Sequence, residues 1–198
     1  MKRVILSLAA SFDGFIEGPN REIDWLTFDE ETGEVLNKFL QEIDTVLYGR
    51  VSYEAWGNYS PPDDSAEFEK IFYTRLNRMA KYVFSSTREH FPGQPKVVKS
   101  GISEFMSSLR QQPGKNIWLY GGSGLISTFL NLDLVDEFRI AVAPIILGKG
   151  TPLFKEVNHR IKLDLVHVRA GKSGVVEFKY ERAFGITESS WPVITTAC

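Results

Sequence analysis

An α/β domain on a mostly parallel central sheet, with helices on both faces and an antiparallel hairpin at its C-terminal edge, is what this sequence predicts. Three observations carry the prediction. Short apolar runs alternate with segments of helical period through most of the chain, the pattern of parallel strands joined by crossover helices. Ile102, Phe105, Met106 and Leu109 fall at i, i+3, i+4 and i+7, one face of an amphipathic helix. Near the end, Leu163 to Val168 and Val175 to Glu181 flank Gly171-Lys172-Ser173-Gly174, and Val176, Phe178 and Tyr180 alternate with polar residues as a hairpin arm does.

The elements follow in order. Val4 to Ala10 reads as a buried strand, broken at Ser11-Phe12-Asp13-Gly14, and Phe15 to Trp25 reads as loop around Gly18-Pro19-Asn20. Val35, Leu36, Phe39, Leu40 and Ile43 give a helix over about Glu30 to Glu42. Thr45 to Tyr48 is a strand stopping at Gly49, followed by a helix over Ser52 to Trp56 and a loop with Pro61-Pro62. Phe68, Ile71 and Phe72 mark another helix; Tyr82 to Phe84 and Lys96 to Lys99 are strands. Ile117 to Tyr120 runs into Gly121-Gly122-Ser123-Gly124, and Leu125, Ile126, Phe129 and Leu130 make a helical face. Phe138 to Ile146 is a strand interrupted by Pro144. One domain over residues 1–184 and a tail over 185–198, with Trp191 as its one large aromatic, complete the plan.

Composition narrows the function. A chain of 198 residues with 43% hydrophobic residues buries a full core without disulfide or metal staples. The net charge of −2 offers no field for nucleic acid, so an anionic ligand needs local donors. Cys198 is the single cysteine, which excludes an internal disulfide and suits a reducing cytoplasm. No stretch reaches the roughly 20 apolar residues of a membrane span, and Met1 to Ala10 reads as a first strand rather than a leader. His90, His159 and His167 lack paired ligand spacing, so no metal is expected.

Three strand ends concentrate unusual chemistry. In open α/β sheets ligands bind beyond the carboxyl ends of the strands. At Gly49-Arg50-Val51-Ser52 a strand stops at glycine and a helix begins, offering free N–H groups to phosphate, with Arg50 and Ser52 beside them. Ser85, Ser86 and Arg88 follow a strand with small hydroxyls and a guanidinium, a composition suited to the 2′-phosphate of NADPH. Gly121, Gly122, Ser123 and Gly124 let backbone approach a pyrophosphate before the helix carrying Leu125 and Ile126. Each segment alone also reads as an ordinary turn or strand–turn–helix.

Taken in order and with their spacing, these segments and Ala10-Ser11-Phe12-Asp13-Gly14-Phe15-Ile16 resemble the dihydrofolate-reductase-like superfamily. The closer likeness is to the branch holding the reductase domain of bacterial riboflavin biosynthesis, the deaminase–reductase C-terminal domain. Ser11 to Ile16 resembles its S-x-D-G-x-I motif and Gly49 to Glu54 its G-R-x-T-Y-E motif; the likeness covers about Lys2 to Arg182. It implies NADPH as cofactor, a small-molecule substrate and a homodimer. It also implies Gly49, Arg50, Val51 and Ser52 at the phosphates, and Ser85, Ser86 and Arg88 at the 2′-phosphate. Gly121 to Ile126 would flank the pyrophosphate and nicotinamide ribose, with Ala10 bordering the nicotinamide. The Leu-Pro helix start of folate reductases is missing after Trp25, and the chain holds no counterpart of the zinc-binding deaminase domain.

The implied activity is NADPH-dependent reduction of a small heterocyclic or sugar-linked compound, similar to 5-amino-6-(5-phosphoribosylamino)uracil reductase. Dihydrofolate reductase proper, or a non-catalytic nucleotide-binding protein on the same fold, are the alternatives. Reduction of C=O or C=N needs a proton. Asp13 and Asp29 are the candidate catalytic acids, with Asp24, Tyr48 or a water as further sources. For Asp13 the competing reading is a turn carboxylate beside Gly14.

Overall fold

The computed structural model describes residues 1–183; the tail, including Trp191 and Cys198, lies outside the described residues. Strands β1 (Val4–Ser11), β3 (Ile43–Gly49), β4 (Ala80–Phe84), β5 (Lys96–Val98), β6 (Asn116–Gly121), β7 (Glu137–Ala143), β9 (Leu163–Ala170) and β10 (Val176–Arg182) form one sheet. Its order is β5-β4-β3-β6-β1-β7-β10-β9. All pairs from β5 to β7 are parallel. The pairs of β10 with β7 and with β9 are antiparallel, so the hairpin closes one edge. A small ribbon pairs β2 (Phe15–Glu17) with β8 (Thr151–Pro152). Both were expected to be loop; segments of two and three residues carry no readable period.

Helices cover both faces. The set α1 (Glu30–Phe39, extended by a 3-10 turn over Leu40–Glu42), α2 (Arg50–Trp56) and α3 (Glu67–Asn77) lies on one face; α4 (Ile102–Gln111) and α5 (Ser123–Asn131) lie on the other. The strands sort their side chains accordingly. Ile5, Val46, Tyr48, Val83 and Trp118 pack with Phe39, Phe72 and Leu76 under α1 and α3. Their alternates Val4, Leu6, Leu47, Tyr82, Phe84 and Leu119 pack with Met106, Leu109, Ile126 and Phe129. This is the two-sided burial that makes parallel strands apolar throughout. Trp118 satisfies its buried indole by donating to the Ser7 carbonyl at 2.9 Å.

Boundaries differ from expectation in two informative places. α2 starts at Arg50, two residues before Ser52, directly on the strand-ending Gly49. β7 stops at Ala143, because Pro144 has no N–H to give the ladder.

Candidate functional site

Register brings the three strand ends together. Gly49 lies opposite Phe84 across β3 and β4, and Tyr48 lies opposite Gly121 across β3 and β6. The segments that follow therefore leave the sheet side by side. A Cβ on Gly49 would sit 3.3 Å from the Gly121 carbonyl oxygen, and one on Gly122 would sit 3.1 Å from Ser52 Oγ. Gly122 holds φ +48 and Gly121 φ +111, backbone that side-chain-bearing residues rarely adopt. Neither α2 nor α5 has its start capped by a side chain, since Gly49 and Gly122 are the N-cap residues. Their first N–H groups remain available to an anion.

These segments form one end of a cleft of about 1390 Å3. Gly49, Arg50, Val51, Ser52, Ser85, Ser86, Gly122, Ser123, Gly124 and Leu125 line it. Gly121 and Ile126 sit just behind the wall; Ile126 is fully buried and supports the loop from below. A second hollow of about 400 Å3, at Glu89 to Pro95, contains none of these groups.

Several expected residues are placed elsewhere. Ala10 is buried at 2% exposure, while Ser7, Leu8 and Ala9 of the same strand line the cleft. Arg88 is turned from the wall: it pairs with Glu54 at 2.6 Å, and its guanidinium lies 5.0 Å from the Phe91 ring centre. Glu54 also holds Arg50, at 2.9 Å, so one carboxylate meets both arginines. Tyr48 is wholly buried against Tyr53 and Tyr120, and its hydroxyl has no partner among the described residues.

The two candidate acids are tied to the backbone outside the cleft wall. Asp13 accepts from Ser11 Oγ at 2.7 Å, Leu147 N at 3.1 Å and Gly148 N at 2.7 Å, fastening the turn after β1 to the distant 147–148 loop. The Ser11 hydroxyl, with the two amides, holds its carboxyl below the ordinary range. Asp29 is the N-cap of α1 and accepts from Thr32 N at 2.8 Å, which likewise lowers its carboxyl. A group stabilised as the anion is a poor proton donor near neutrality.

Asp29→Ala is accordingly expected to lower the melting temperature by a few degrees and to leave ligand binding unchanged. The anion's contribution is complete above the ordinary aspartate pKa of about 3.9 and fades as the pH falls through the depressed folded value. Melting curves at pH 7 and pH 3 test this; equal loss at both values would remove the capping role.

The sequence gave little notice of the cleft's other end. Here β1 and β7 pair Ser7 with Arg139 and Ala9 with Ala141, and α1 and its 3-10 turn roof them with Phe39 and Glu42. Arg139 bonds Glu42 at 2.7 Å and Glu137 at 2.5 Å, with its guanidinium 5.0 Å from the Phe39 ring centre. Glu31 on α1 pairs with Arg169 at 2.5 Å and accepts from Lys172 N; that amide and Arg169 hold its carboxyl low. Tyr120, the residue before Gly121, lines the cleft between its two ends, and burial pushes its phenol well above the usual range. Its place beside the glycine loop was the available signal; Ser7, polar in an apolar strand, was another. Among the described residues no cluster of three or more His, Cys, Asp or Glu is arranged to hold a metal. Among them, too, no helix is long and apolar enough to cross a membrane.

The parallel sheet with its antiparallel edge and a cleft at the strand ends defines a dihydrofolate-reductase-like fold. Dihydrofolate reductase from Enterococcus faecalis, solved with NADP(H) and an inhibitor named RAB-propyl, superposes with a TM-score of 0.63 over 91% of this chain and 96% of that one, at 14% identity. A putative riboflavin biosynthesis protein from Shewanella sp. PV-4 superposes with a TM-score of 0.72 over 92% and 99%, at 23% identity. Residues 2–177 match the RibD C-terminal domain, and the chain belongs to that family. The uncharacterized protein YyaP of Bacillus subtilis (strain 168) is 46% identical over 179 residues, covering 90% of this chain and 94% of that protein.

Proposed function

We propose that this chain is an NADPH-dependent reductase that delivers hydride to a small heterocyclic or sugar-linked substrate. The observation that carries the reading is the convergence of three donor-rich strand ends on one cleft, with Gly122 in a backbone conformation that favours glycine against Ser52. Bound there, NADPH would supply the hydride. Gly49 to Ser52 and Gly122 to Leu125 would hold its phosphates through backbone N–H groups and the Ser52 hydroxyl. Ser85, Ser86 and the nearby Lys99, which lines the same stretch of cleft, would meet the 2′-phosphate. Arg88 would join them only by leaving Glu54. Tyr120, protonated at all working pH values, would be the donor beside the reacting ring. Membership in the RibD C-terminal domain family and the likeness to an NADP(H)-binding fold support the same reading.

Titration of the purified chain with NADPH and with NADH, followed by nicotinamide fluorescence, tests it. The expected result is NADPH binding at least about tenfold tighter than NADH, the worth of one charge-assisted contact. Equal affinities would remove the 2′-phosphate contacts. No binding of either would remove the cofactor. Binding without turnover on any heterocycle would leave a nucleotide-binding protein in place of an enzyme.

A further inference from the structure

The part of the cleft beyond Tyr120 has a wall made almost wholly of aromatic rings. Trp56 at the end of α2 meets Tyr59 at 5.4 Å between ring centres, and Tyr59 meets Tyr73 at 4.6 Å. Tyr73 meets Phe72 at 5.0 Å, Phe72 meets Phe28 at 5.8 Å and Trp118 at 6.4 Å, and Trp118 meets Tyr120 at 4.8 Å. This is one continuous surface spanning α2, α3, β6 and the segment before α1, and every ring in it lines the cleft. Trp56 Nε1 and the hydroxyls of Tyr73 and Tyr120 have no hydrogen-bond partner among the described residues, so the wall presents free donors. Burial, reinforced by Tyr59 and Glu69, keeps the Tyr73 phenol protonated.

The charge carried by this wall is negative. Glu69 on α3 lines it beside Tyr73. The cations of α3 and its neighbours are committed elsewhere: Lys70 to the Asp63 carbonyl, Arg75 to Asn37, and Lys81 to Gly57 and Asn77. Across the cleft, Lys38 has Glu34 one turn before it and Glu42 one turn after. Arg139 and Arg169 are held by Glu42 and Glu137, and by Glu31 and Glu177. Arg50 and Lys99 belong to the other end and pair with Glu54 and Glu89. Arg21 stands exposed on the loop after β2. A phosphoryl group seated on the aromatic wall would meet Glu69 with no unpaired guanidinium on α2, α3 or β6 to offset it. A flat ring carrying carbonyl acceptors and amino donors would stack on the rings, accept from Tyr73 and Tyr120, and donate to Glu69.

We propose that this recess takes the flat ring of an uncharged or protonated amino-heterocycle and discriminates against its phosphorylated counterpart. The proposal rests on the reductase reading for the direction from which hydride arrives, and on the wall alone for the ring it accepts.

Isothermal titration of the full chain with 5-amino-6-(ribitylamino)uracil and with its 5′-phosphate, in the presence and absence of NADPH, tests the proposal. The unphosphorylated compound is expected to bind about tenfold tighter or more, the effect of one nearby like charge. Glu69→Lys is expected to bring that ratio to one or invert it, and Glu69→Gln to narrow it. Equal or tighter binding of the phosphate ester by the unaltered chain overturns the proposal. So does failure of both compounds to bind, or a ratio indifferent to both substitutions. The cofactor is scored in the same titrations. Ring discrimination without NADPH binding removes the reductase reading and keeps this one; NADPH binding without discrimination does the reverse.

Discussion

Gly122→Ala is expected to weaken NADPH binding by about ten- to a hundredfold while the chain stays folded. Gly122 combines φ +48 with ψ 151, and a residue bearing Cβ is strained there by about 1–3 kcal/mol. The new methyl would also stand 3.1 Å from Ser52 Oγ, tighter than ordinary contact. Relief requires the loop after β6 to move away from the start of α2, and that gap is the one proposed to hold the phosphates. Nicotinamide fluorescence gives the affinity and a thermal melt gives the stability. Pairing the change with Ser52→Gly separates its two causes, because the contact is relieved and the backbone strain is not. Unchanged affinity in Gly122→Ala would take the glycine loop out of the site.

The loops of this site were legible because each ends an apolar run at a small residue, and short strands are the strongest local signal in the chain. That they meet was a matter of pairing between residues far apart in sequence, such as Tyr48 with Gly121. The roles of Asp13 and Asp29 were beyond local reading for the same reason. A carboxylate beside Gly14 looks alike whether it serves a substrate or two amides at Leu147 and Gly148. Alternation along β1 showed that Ala9 and Ala10 face opposite ways, but not which face the cleft occupies; the cleft takes Ala9. The α1 side of the site was least visible, because Arg139 reaches it through pairing of β7 with β1, and its partners come from Glu42 and its own strand.

Glu137→Ala is expected to cost about 3–5 kcal/mol of stability, a large share of what a domain of this size has. Glu137 is 1% exposed at the start of β7 and is the common partner of three cations: Arg3 at 3.2 Å, Arg139 at 2.5 Å and Lys179 at 3.3 Å. Removing it leaves positive charge from β1, β7 and β10 converging on a space with no counter-charge and little water. Glu42→Ala is the control, since Glu42 bonds the same Arg139 from a position 48% exposed, where an ion pair contributes about 0–1 kcal/mol. Urea unfolding of both variants measures the difference; losses equal within about 1 kcal/mol would show that burial of the Glu137 network confers no special stability. The consequence reaches the site as well. Glu137 fixes Arg139 from below while Glu42 holds it from the rim, so loss of the buried partner lets the guanidinium swing outward with Glu42. The floor of the cleft between Ser7 and Phe39 then opens, and ring binding falls along with stability in Glu137→Ala but survives in Glu42→Ala.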